Sequence, residues 1–381
     1  MKSGWAIKKL GEVCEEVKDR TSSIGVVLSA YITTDNMLKD CAGVCEAENL
    51  PPKVTNLVKF RKGDVLLSNI RPYLKKVWLA DRDGGASSDV IVFRACSKEI
   101  HPRYIWQALA RDEFFNYSML NVSGTKMPRG KREWIKQFEI PIPPLPEQKR
   151  IVAKIDAAFE KIDKLKANAE KNLANAKELF QSALDEAMRP KKGWVEKRLG
   201  EVGPVCMCKR ILKSETNESG GVPFYKIGTF GKTPNAYISE ETYRRYRELY
   251  KFPRKGEILI SAAGTIGRTV VYDGEPAYFQ DSNIVWIAND ETKVSNAYLQ
   301  WYYKTSPWCV TKGATIPRLY NDNITSAAIA IPPIAEQRQI VKRLDFLAEK
   351  VKLLEQHYTR QIADCAEMRQ AVLREAFEGR L

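Results

Sequence analysis

Two basic loops hold the residues of this chain whose types best suit contact with nucleic acid. The first is segment 124–132, where glycine and proline predict a loop and four cations lie close together. Arginine can bond guanine through two hydrogen bonds, asparagine can do the same with adenine, and lysine suits phosphate. The candidate contacts are Lys126, Arg129, Lys131 and Arg132, with Thr315, Arg318, Tyr320 and Asn321 in the corresponding loop of a repeat. The alternative is a pair of solvated turns.

A second group of cations lies beside an aromatic residue and follows a predicted strand. Such a mixture suits a surface that tracks a nucleic-acid backbone. Lysines that protect a sheet edge from aggregation would give the same pattern, so both interpretations stay open. The residues are Arg71, Tyr73, Lys75 and Lys76, with Arg268 in the comparable region of the second half.

Sequence motifs for catalysis are missing. The chain has no G-x-x-x-x-G-K-[ST] segment, no glycine-rich dinucleotide turn after a strand, and no Asn-Pro-Pro-aromatic tetrapeptide like that of amino-methyltransferases. It has two histidines, and its eight cysteines form no C-x-x-C pair, which disfavours histidine catalysis and a zinc site. Acid–lysine groupings for a metal-dependent nuclease stay open, because they arise by chance in so charged a chain. A binding protein is the favoured interpretation.

The charge and hydropathy of the chain indicate the kind of partner and the cellular location to expect. A net charge of +14 favours a polyanionic partner, although a basic protein kept apart by self-repulsion would look the same. No run of about 18 uncharged apolar residues predicts a membrane-spanning helix, and segment 1–5 lacks the apolar region of a signal peptide. We therefore expect no membrane association, reduced thiols and a cytoplasmic location.

The chain is an internal duplication. The ends of each half keep one register while the interior drifts by a few residues, which predicts two homologous domains with diverged interiors. A duplicated fold with two unrelated functions remains the alternative. Segments 5–13, 124–128 and 140–148 return at 194–202, 313–317 and 329–337 with an offset of 189, and 61–68 returns at 254–261 with an offset of 193.

Each half combines a mixed domain with a long helix. Runs rich in β-branched residues at 65–68, 90–93 and 284–287 predict strands, and helices are expected from Pro102 to Asn116 and from Asn296 to Thr305. A proline-rich stop follows, and Pro146 suits the first turn of a helix. The predicted division is a first domain at 1–145, a helical region at 146–189, a second domain at 190–334 and a helical region at 335–381.

The two helical regions carry apolar residues at alternating spacings of three and four. This heptad seam, about 40 residues or about 60 Å long, cannot be buried by one helix alone. The predicted fold class is therefore α+β, with two homologous mixed α/β domains separated by two long helices that form an antiparallel coiled coil with pseudo-two-fold symmetry. Two readers so placed would contact different half-sites about one helical turn of DNA apart. A scaffold coiled coil is the alternative.

The repeated segment Pro-Pro-x-x-Glu-Gln-x-x-Ile-Val, at 143–152 and 332–341 before each heptad helix, resembles the specificity subunits of type I restriction–modification enzymes. Segment 254–268 is similar to a strand and turn of their target-recognition domains. The resemblance implies a non-catalytic subunit that reads a bipartite, asymmetric site in double-stranded DNA. Segment 68–72 departs from the Gly-Thr-Ile-Gly turn of the second half, which questions whether both domains contact DNA through equivalent residues.

The resemblance also implies partners. Methyltransferase subunits would dock on helices 147–188 and 336–378, and ATP-driven restriction subunits would join them. S-adenosylmethionine, ATP and Mg²⁺ would belong to those partners, and this chain would bind no cofactor or metal and hold no catalytic residue. Two competing hypotheses are a solitary nuclease or methyltransferase, and a DNA-binding or scaffold protein outside any restriction system.

Overall fold

A computed structural model describes residues 4–51, 53–305, 308 and 318–381. The chain forms two compact units. Unit 1 comprises Met1–Lys171 and Tyr358–Leu381, and unit 2 comprises Asn172–His357. The boundaries between the two units fall inside the long helices. They do not test the division into four segments predicted above, which stays a prediction. In the part of the chain that the structure describes, no helix has the length and apolar content needed to cross a membrane.

Unit 1 is built from two four-stranded sheets, two small ribbons and helices. Its strands are β1 (Ala6–Lys9), β2 (Cys14–Glu16), β3 (Arg20–Ser22), β4 (Tyr31–Ile32), β5 (Asn56–Phe60), β6 (Val65–Ser68), β7 (Val77–Leu79), β8 (Gly84–Ala86), β9 (Val90–Ala95), β10 (Val122–Ser123), β11 (Arg129–Gly130) and β12 (Glu139–Ile142). Its helices are α1 (Leu10–Val13), α2 (Pro102–Leu109), α3 (Asp112–Met119), α4 (Arg132–Ile135) and the first part of α5 (Leu145–Met188).

Unit 2 repeats this plan. Its strands are β13 (Val195–Arg198), β14 (Val205–Cys206), β15 (Thr216–Asn217), β16 (Val222–Tyr225), β17 (Tyr237–Ile238), β18 (Ile258–Ser261), β19 (Thr269–Val271), β20 (Tyr278–Phe279), β21 (Ile284–Ile287) and β22 (Ala328–Ile331). Its helices are α6 (Leu199–Val202), α7 (Glu240–Leu249), α8 (Asn296–Lys304), α9 (Asn321–Thr325) and the first part of α10 (Ile334–Phe377), whose end belongs to unit 1.

The inner strands of each central sheet, β9 and β6 in unit 1 and β21 and β18 in unit 2, are buried on both faces. In unit 1 the sheet order is β2-β9-β6-β7, and Val65 and Leu67 enter the core beneath the helices while Leu66 enters a core shared with the second sheet. The order in unit 2 is β14-β21-β18-β19, and Ile258 and Leu259 divide in the same way. A strand covered on both faces needs apolar side chains at every position, which explains the unbroken apolar runs in the sequence.

The second sheets of the two units differ in strand order. Unit 1 has β3-β5-β8-β4 and unit 2 has β15-β17-β16-β20. The parallel pair β4 with β8 corresponds to β16 with β20, but the third strand joins β8 in unit 1 and β16 in unit 2. This is the part of each half where the sequence register drifts. The divergence of the sequence interior is therefore a difference in sheet topology as well as in side chains.

The long helices pack on the domains and on each other within unit 1. Ile155 and Phe159 of α5 share one buried core with Leu373 and Phe377 of α10. The Arg150 side chain donates to the Leu381 carbonyl at 2.8 Å, and Arg369 pairs with Asp163. Early residues of α5 thus meet late residues of α10, and the two segments run antiparallel. The predicted fold class, two homologous α+β domains with two long antiparallel helices, is confirmed.

The heptad seam is only partly buried. Ile151, Ile155 and Leu184 are almost fully buried, whereas Leu165 is 53% exposed and Leu354 is 42% exposed. The first group packs on the domains, so its burial comes from the sheets as much as from the helix pairing. The second group leaves apolar side chains open on the helices.

One predicted helix is broken in the structure. The sequence predicts a single helix from Pro102 to Asn116, but α2 ends at Leu109 and α3 begins at Asp112. The connecting Arg111 is 8% exposed; its guanidinium lies 4.6 Å from the Phe377 ring and donates to the Ala108 carbonyl at 3.1 Å. Burial lowers the pKa of this arginine. A tertiary contact with α10 therefore fixes the break, and a local pattern could not predict it.

The glutamine of the repeated Glu-Gln pair fixes each long helix to its domain. Gln148 and Gln337 are fully buried. The Gln148 carbonyl oxygen accepts from the His101 amide at 2.8 Å, and its Nε2 donates to the carbonyls of Glu99 at 2.9 Å and Pro143 at 2.8 Å. The corresponding bonds of Gln337 involve Ser295 at 2.9 Å, Lys293 at 2.8 Å and Pro332 at 2.9 Å.

Candidate nucleic-acid interface

Three backbone segments of unit 1 meet where β6 ends and β9 begins. The turn 69–76, the approach to β9 at 87–89 and the hairpin with its flank at 122–132 form what we term the loop edge of unit 1. Main-chain bonds hold it together: Ile70 forms a bridge with Arg129, the Arg71 amide donates to the Pro128 carbonyl at 2.7 Å, and the Gly130 amide donates to the Asn69 carbonyl at 3.0 Å. Both clusters of sequence-predicted contacts in this half therefore lie at one edge.

Several predicted contacts at this edge are open to solvent. Lys126 lies in the tip of the β10–β11 hairpin and Lys131 follows β11; both are exposed, as is Arg71. Tyr73 is 51% exposed. Within the described part of the chain, none of the three cations has an ion pair. Their charges are therefore available to a phosphate.

The other predicted cations of unit 1 have protein partners. Lys75 pairs with Asp112 at 2.6 Å, and the Lys76 ammonium donates to the Thr34 carbonyl at 2.5 Å. Burial lowers the pKa of Lys76. These contacts tie the turn 69–76 to its neighbours, so Lys75 and Lys76 support the edge structurally.

Arg132 and Arg129 are also paired, with different consequences. Arg132 forms an ion pair with Glu16, which is 10% exposed, and donates to the Ser88 carbonyl at 2.7 Å. Arg129 is half exposed and pairs with Asp89, Nη2 to Oδ1, at 3.2 Å. Arg132 anchors the start of α4, whereas Arg129 presents much of its guanidinium to solvent.

The loop edge of unit 2 is built the same way. Ala263 forms a bridge with Arg318, as Ile70 does with Arg129. The Arg268 carbonyl accepts from the Ser261 amide at 2.9 Å, as the Lys76 carbonyl accepts from the Ser68 amide at 3.0 Å. Arg268 therefore corresponds to Lys76, and its Nη1 donates to the Phe230 carbonyl at 3.0 Å. Equivalent backbone positions carry the predicted contacts in both units.

A cavity of about 380 Å³ opens beside Arg318. Arg318, Tyr320, Asn321 and Ser282 are among the residues that line it. The Arg318 Nη2 donates to Ser282, 3.0 Å from the hydroxyl and 3.3 Å from the carbonyl. Tyr320 is 57% exposed and Asn321 begins α9. Thr315 lies outside the described residues.

The turns at the two edges both use left-handed backbone conformations, but at different residue types. Arg71 and Lys75 have φ values of +51°, in the left-handed region that side chains rarely adopt. Unit 2 has Gly264 and Gly267 at φ +68° and +77° instead. Glycine adopts this conformation freely, so the longer turn of unit 1 holds its arginine and lysine at a conformational cost of about 1–2 kcal/mol each.

Glu16 is a residue of this region that the sequence analysis missed. It accepts from Arg132 and from Lys136, the latter at 2.9 Å. Burial alone would raise the pKa of Glu16, but the hydrogen bonds from Lys136 and Arg132 hold it below its usual value. The residue that faces it in β9 is Phe93, and the equivalent position in unit 2 is Val205, opposite Ile287. The ion pair thus belongs to unit 1 alone.

Replacing Glu16 by glutamine is expected to destabilise unit 1 by about 1–2 kcal/mol near neutral pH, because two cations lose their carboxylate. A carboxylate whose pKa is lowered by folding stabilises the folded state above the unfolded pKa, and this contribution disappears as the pH falls through the folded value. Wild-type and E16Q free energies of unfolding should therefore converge as the pH falls from the unfolded Glu pKa of about 4.3 through the lower folded value, measured by urea denaturation across a pH series.

Glu133→Gln is the matched control for this prediction. Glu133 also pairs with Lys136, but its side chain is 85% exposed. Its loss should change stability by less than about 0.5 kcal/mol. Equal effects of E16Q and E133Q, or a pH-independent E16Q effect, would contradict the role assigned to Glu16.

Comparison with known proteins identifies the family. A model of the type I restriction modification DNA specificity domain matches residues 2–174 and 191–362. A putative type I restriction enzyme specificity subunit of Haemophilus influenzae is 46% identical over 252 residues, 65% of this chain and 64% of that relative. Another from Methanocaldococcus jannaschii is 22% identical over 385 residues, 92% of this chain and 88% of that relative. The alignment with the first relative spans less than two thirds of its length.

Solved structures share the fold. The HsdS subunit from Thermoanaerobacter tengcongensis aligns over 100% of this chain and 98% of its own, with a TM-score of 0.58 and 25% identity. Another solved chain comes from a structural study of complex assembly in the type I R-M system. It aligns over 100% of this chain and 99% of its own length, with a TM-score of 0.81. Its identity of 24% supports the fold alone.

Two copies of one α+β domain, each with a basic loop edge, define a duplicated recognition protein. Since the family model matches most of the chain, once in each half, the chain belongs to the family of type I restriction–modification DNA specificity subunits. Members of this family are the DNA-recognition subunits of their systems and not the catalytic ones.

Proposed function

We propose that this chain reads a bipartite, asymmetric site in double-stranded DNA, with one half-site contacted by the loop edge of each unit. The observation that carries the proposal is the equivalent placement of Arg129 and Arg318. Each is held by a main-chain bridge at the end of the central sheet, in a setting whose other side chains differ. Equivalent placement suits one mode of DNA approach, and different neighbours suit different half-sites.

The contacts proposed at each edge follow from exposure. In unit 1, Lys126, Lys131 and Arg71 would bind phosphates, Tyr73 would pack on the backbone, and Arg129 would reach a base. The unit 2 contacts would be Arg318, Tyr320 and Asn321, with Thr315 at the loop position that corresponds to Lys126. Arg132, Lys75, Lys76 and Arg268 would act by holding the edges in shape, because their side chains already bond protein groups.

We further propose that the long helices dock methyltransferase subunits at 147–188 and 336–378, and that restriction subunits join this assembly. Apolar side chains on a solvated helix are typical of partner surfaces. Exposed examples on α5 and α10 are Leu165, Leu179, Phe346, Leu353, Leu354 and Met368. S-adenosylmethionine, ATP and Mg²⁺ would be bound by these partners.

The test combines the purified chain with a type I methyltransferase subunit. Together they should methylate adenine at one bipartite sequence, mapped by single-molecule sequencing of treated DNA, and either protein alone should give none. Methylation by this chain alone would identify a solitary enzyme. DNA binding without stimulation of any methyltransferase would identify a protein outside restriction systems.

A charge-neutralised variant locates the contacts. The measurement is the affinity of the same complex for the mapped site across a series of salt concentrations. K126A/K131A should weaken binding to the mapped site and reduce the salt dependence of binding by about two phosphate contacts, or about 1.8 in slope. The matched control is K62A/K98A. Lys62 and Lys98 are exposed but lie beyond the opposite ends of β6 and β9. Equal losses in both variants would place DNA elsewhere on unit 1.

A further inference from the structure

The two loop edges differ in the residue that immediately precedes the second central strand, which in unit 1 contacts the arginine of the edge. The Asp89 carbonyl accepts from the Asn69 amide at 2.8 Å, and the Asn283 carbonyl accepts from the Ala262 amide at 2.7 Å. Both residues immediately precede the central strands β9 and β21. Asp89 therefore corresponds to Asn283, a side chain of nearly the same shape without the charge.

This difference changes the electrostatic state of the arginine. Arg129 has the Asp89 carboxylate as its partner, Nη2 to Oδ1 at 3.2 Å. Arg318 bonds only the hydroxyl and carbonyl oxygens of Ser282, and within the described residues it has no ion pair. The Arg129 charge is thus compensated by a carboxylate, whereas no carboxylate among the described residues forms an ion pair with Arg318.

We propose that Asp89 is a specificity-determining residue of the first half-site: its carboxylate excludes phosphate from Arg129 and reserves that arginine for a base edge. The proposal rests on the proposed function. A phosphate at Arg129 would place two anions beside one guanidinium, whereas the O6 and N7 acceptors of guanine are uncharged. The cytosine paired with that guanine presents an amino donor, which a carboxylate attracts.

At the second half-site the same position works differently. Asn283 brings no negative charge. Asp322 also lines the cavity beside Arg318, but the described residues hold no ion pair between them, so Arg318 is open to a phosphate as well as to a base. We infer that Arg318 contributes a salt-dependent contact, and that Arg129 contributes discrimination with little salt dependence. The two half-sites are therefore read with different balances of affinity and specificity.

Exchange of the two residues tests the inference. D89N in the chain–methyltransferase complex should bind a scrambled duplex more tightly and steepen the salt dependence by about 0.9, one phosphate contact. Between 50 and 200 mM salt, the affinity of D89N for DNA would therefore fall about 3.5-fold more than that of the wild type. Discrimination against substitutions in the first half-site should fall.

The reciprocal N283D should make the salt dependence shallower by the same amount. Fluorescence anisotropy measures the affinity, its salt dependence and the base discrimination. The duplexes are the mapped target, its single-base variants and the scrambled sequence.

Arg129→Gln shows whether the gain passes through the arginine. D89N/R129Q should lose the added affinity and the steeper slope of D89N. An unchanged slope in D89N, or a gain that persists without Arg129, would overturn the inference while wild-type binding leaves the proposed function intact. A wild-type complex that binds no duplex would refute both. Equal thermal midpoints for D89N, N283D and wild type exclude misfolding as the cause.

Discussion

Gln148→Met is expected to destabilise unit 1 by about 3–5 kcal/mol, a large part of the stability of a typical domain. Methionine matches glutamine in length but leaves the part-buried amide of His101 and the carbonyls of Glu99 and Pro143 without this partner. Each buried polar group left unpaired costs about 1–3 kcal/mol. Hydrogen exchange by mass spectrometry measures the effect, because it reports each unit separately.

The duplication supplies the second arm of this experiment. Gln337→Met should cost unit 2 a similar amount and leave exchange in unit 1 unchanged. Gln137→Met is the control, since Gln137 is exposed and should change stability by less than about 0.5 kcal/mol. Comparable protection in Q148M and Q137M would show that the glutamine bonds are dispensable.

Phe377→Ala is expected to cost about 3–5 kcal/mol and to loosen the end of α10 from unit 1. Phe377 is 2% exposed, its ring centroid lies 4.8 Å from that of Tyr104, and the Arg111 guanidinium lies 4.6 Å away. Truncation would leave a cavity and remove the aromatic face that covers a buried cation. Urea denaturation measures the loss in free energy of unfolding. Hydrogen exchange in segments 102–119 and 358–377 measures the loosening of α10.

Phe346 provides a matched aromatic residue on the same helix. It is 57% exposed, so F346A should change the free energy of unfolding by less than about 0.5 kcal/mol. Its effect belongs to docking instead: under the proposed function, F346A should weaken association with the methyltransferase. A stability loss in F346A as large as that in F377A would contradict the packing of α10 described above.

The central sheet could be predicted from the sequence because its signal is local. Strands β6 and β21 have the predicted bounds, since burial of both faces makes all their residues apolar except Ser68 at the end of β6. The long helices were equally predictable from their heptads. The order of the second sheet was not, because short strands such as β4 and β17 have two residues each and carry no periodic pattern. The break at Arg111 depends on a contact with a residue more than 260 positions away.

The loops of the candidate interface were predictable from the sequence, but the partners of their side chains were not. Glycine and proline marked the loops, and the repeat placed Arg318 opposite Arg129 in the alignment. Residue type could not separate Lys126, which is exposed, from Arg132, which Glu16 engages across 116 positions. Asp89 was also missed. Its signal lies in the strand register, since Ser68 faces Val90 as Ser261 faces Ile284, and that pairing aligns Asp89 with Asn283.

The loop edges are joined to their sheets through main-chain atoms. The bridges at Arg129 and Arg318 are made by main-chain atoms, whichever side chains these two positions carry. The scaffold can therefore tolerate exchange of the outward-facing side chains with little effect on folding. Under the proposed function, single substitutions at positions 126, 129 and 131 would give new target sequences without unfolding the domain. These positions therefore suit randomised libraries that select altered methylation patterns.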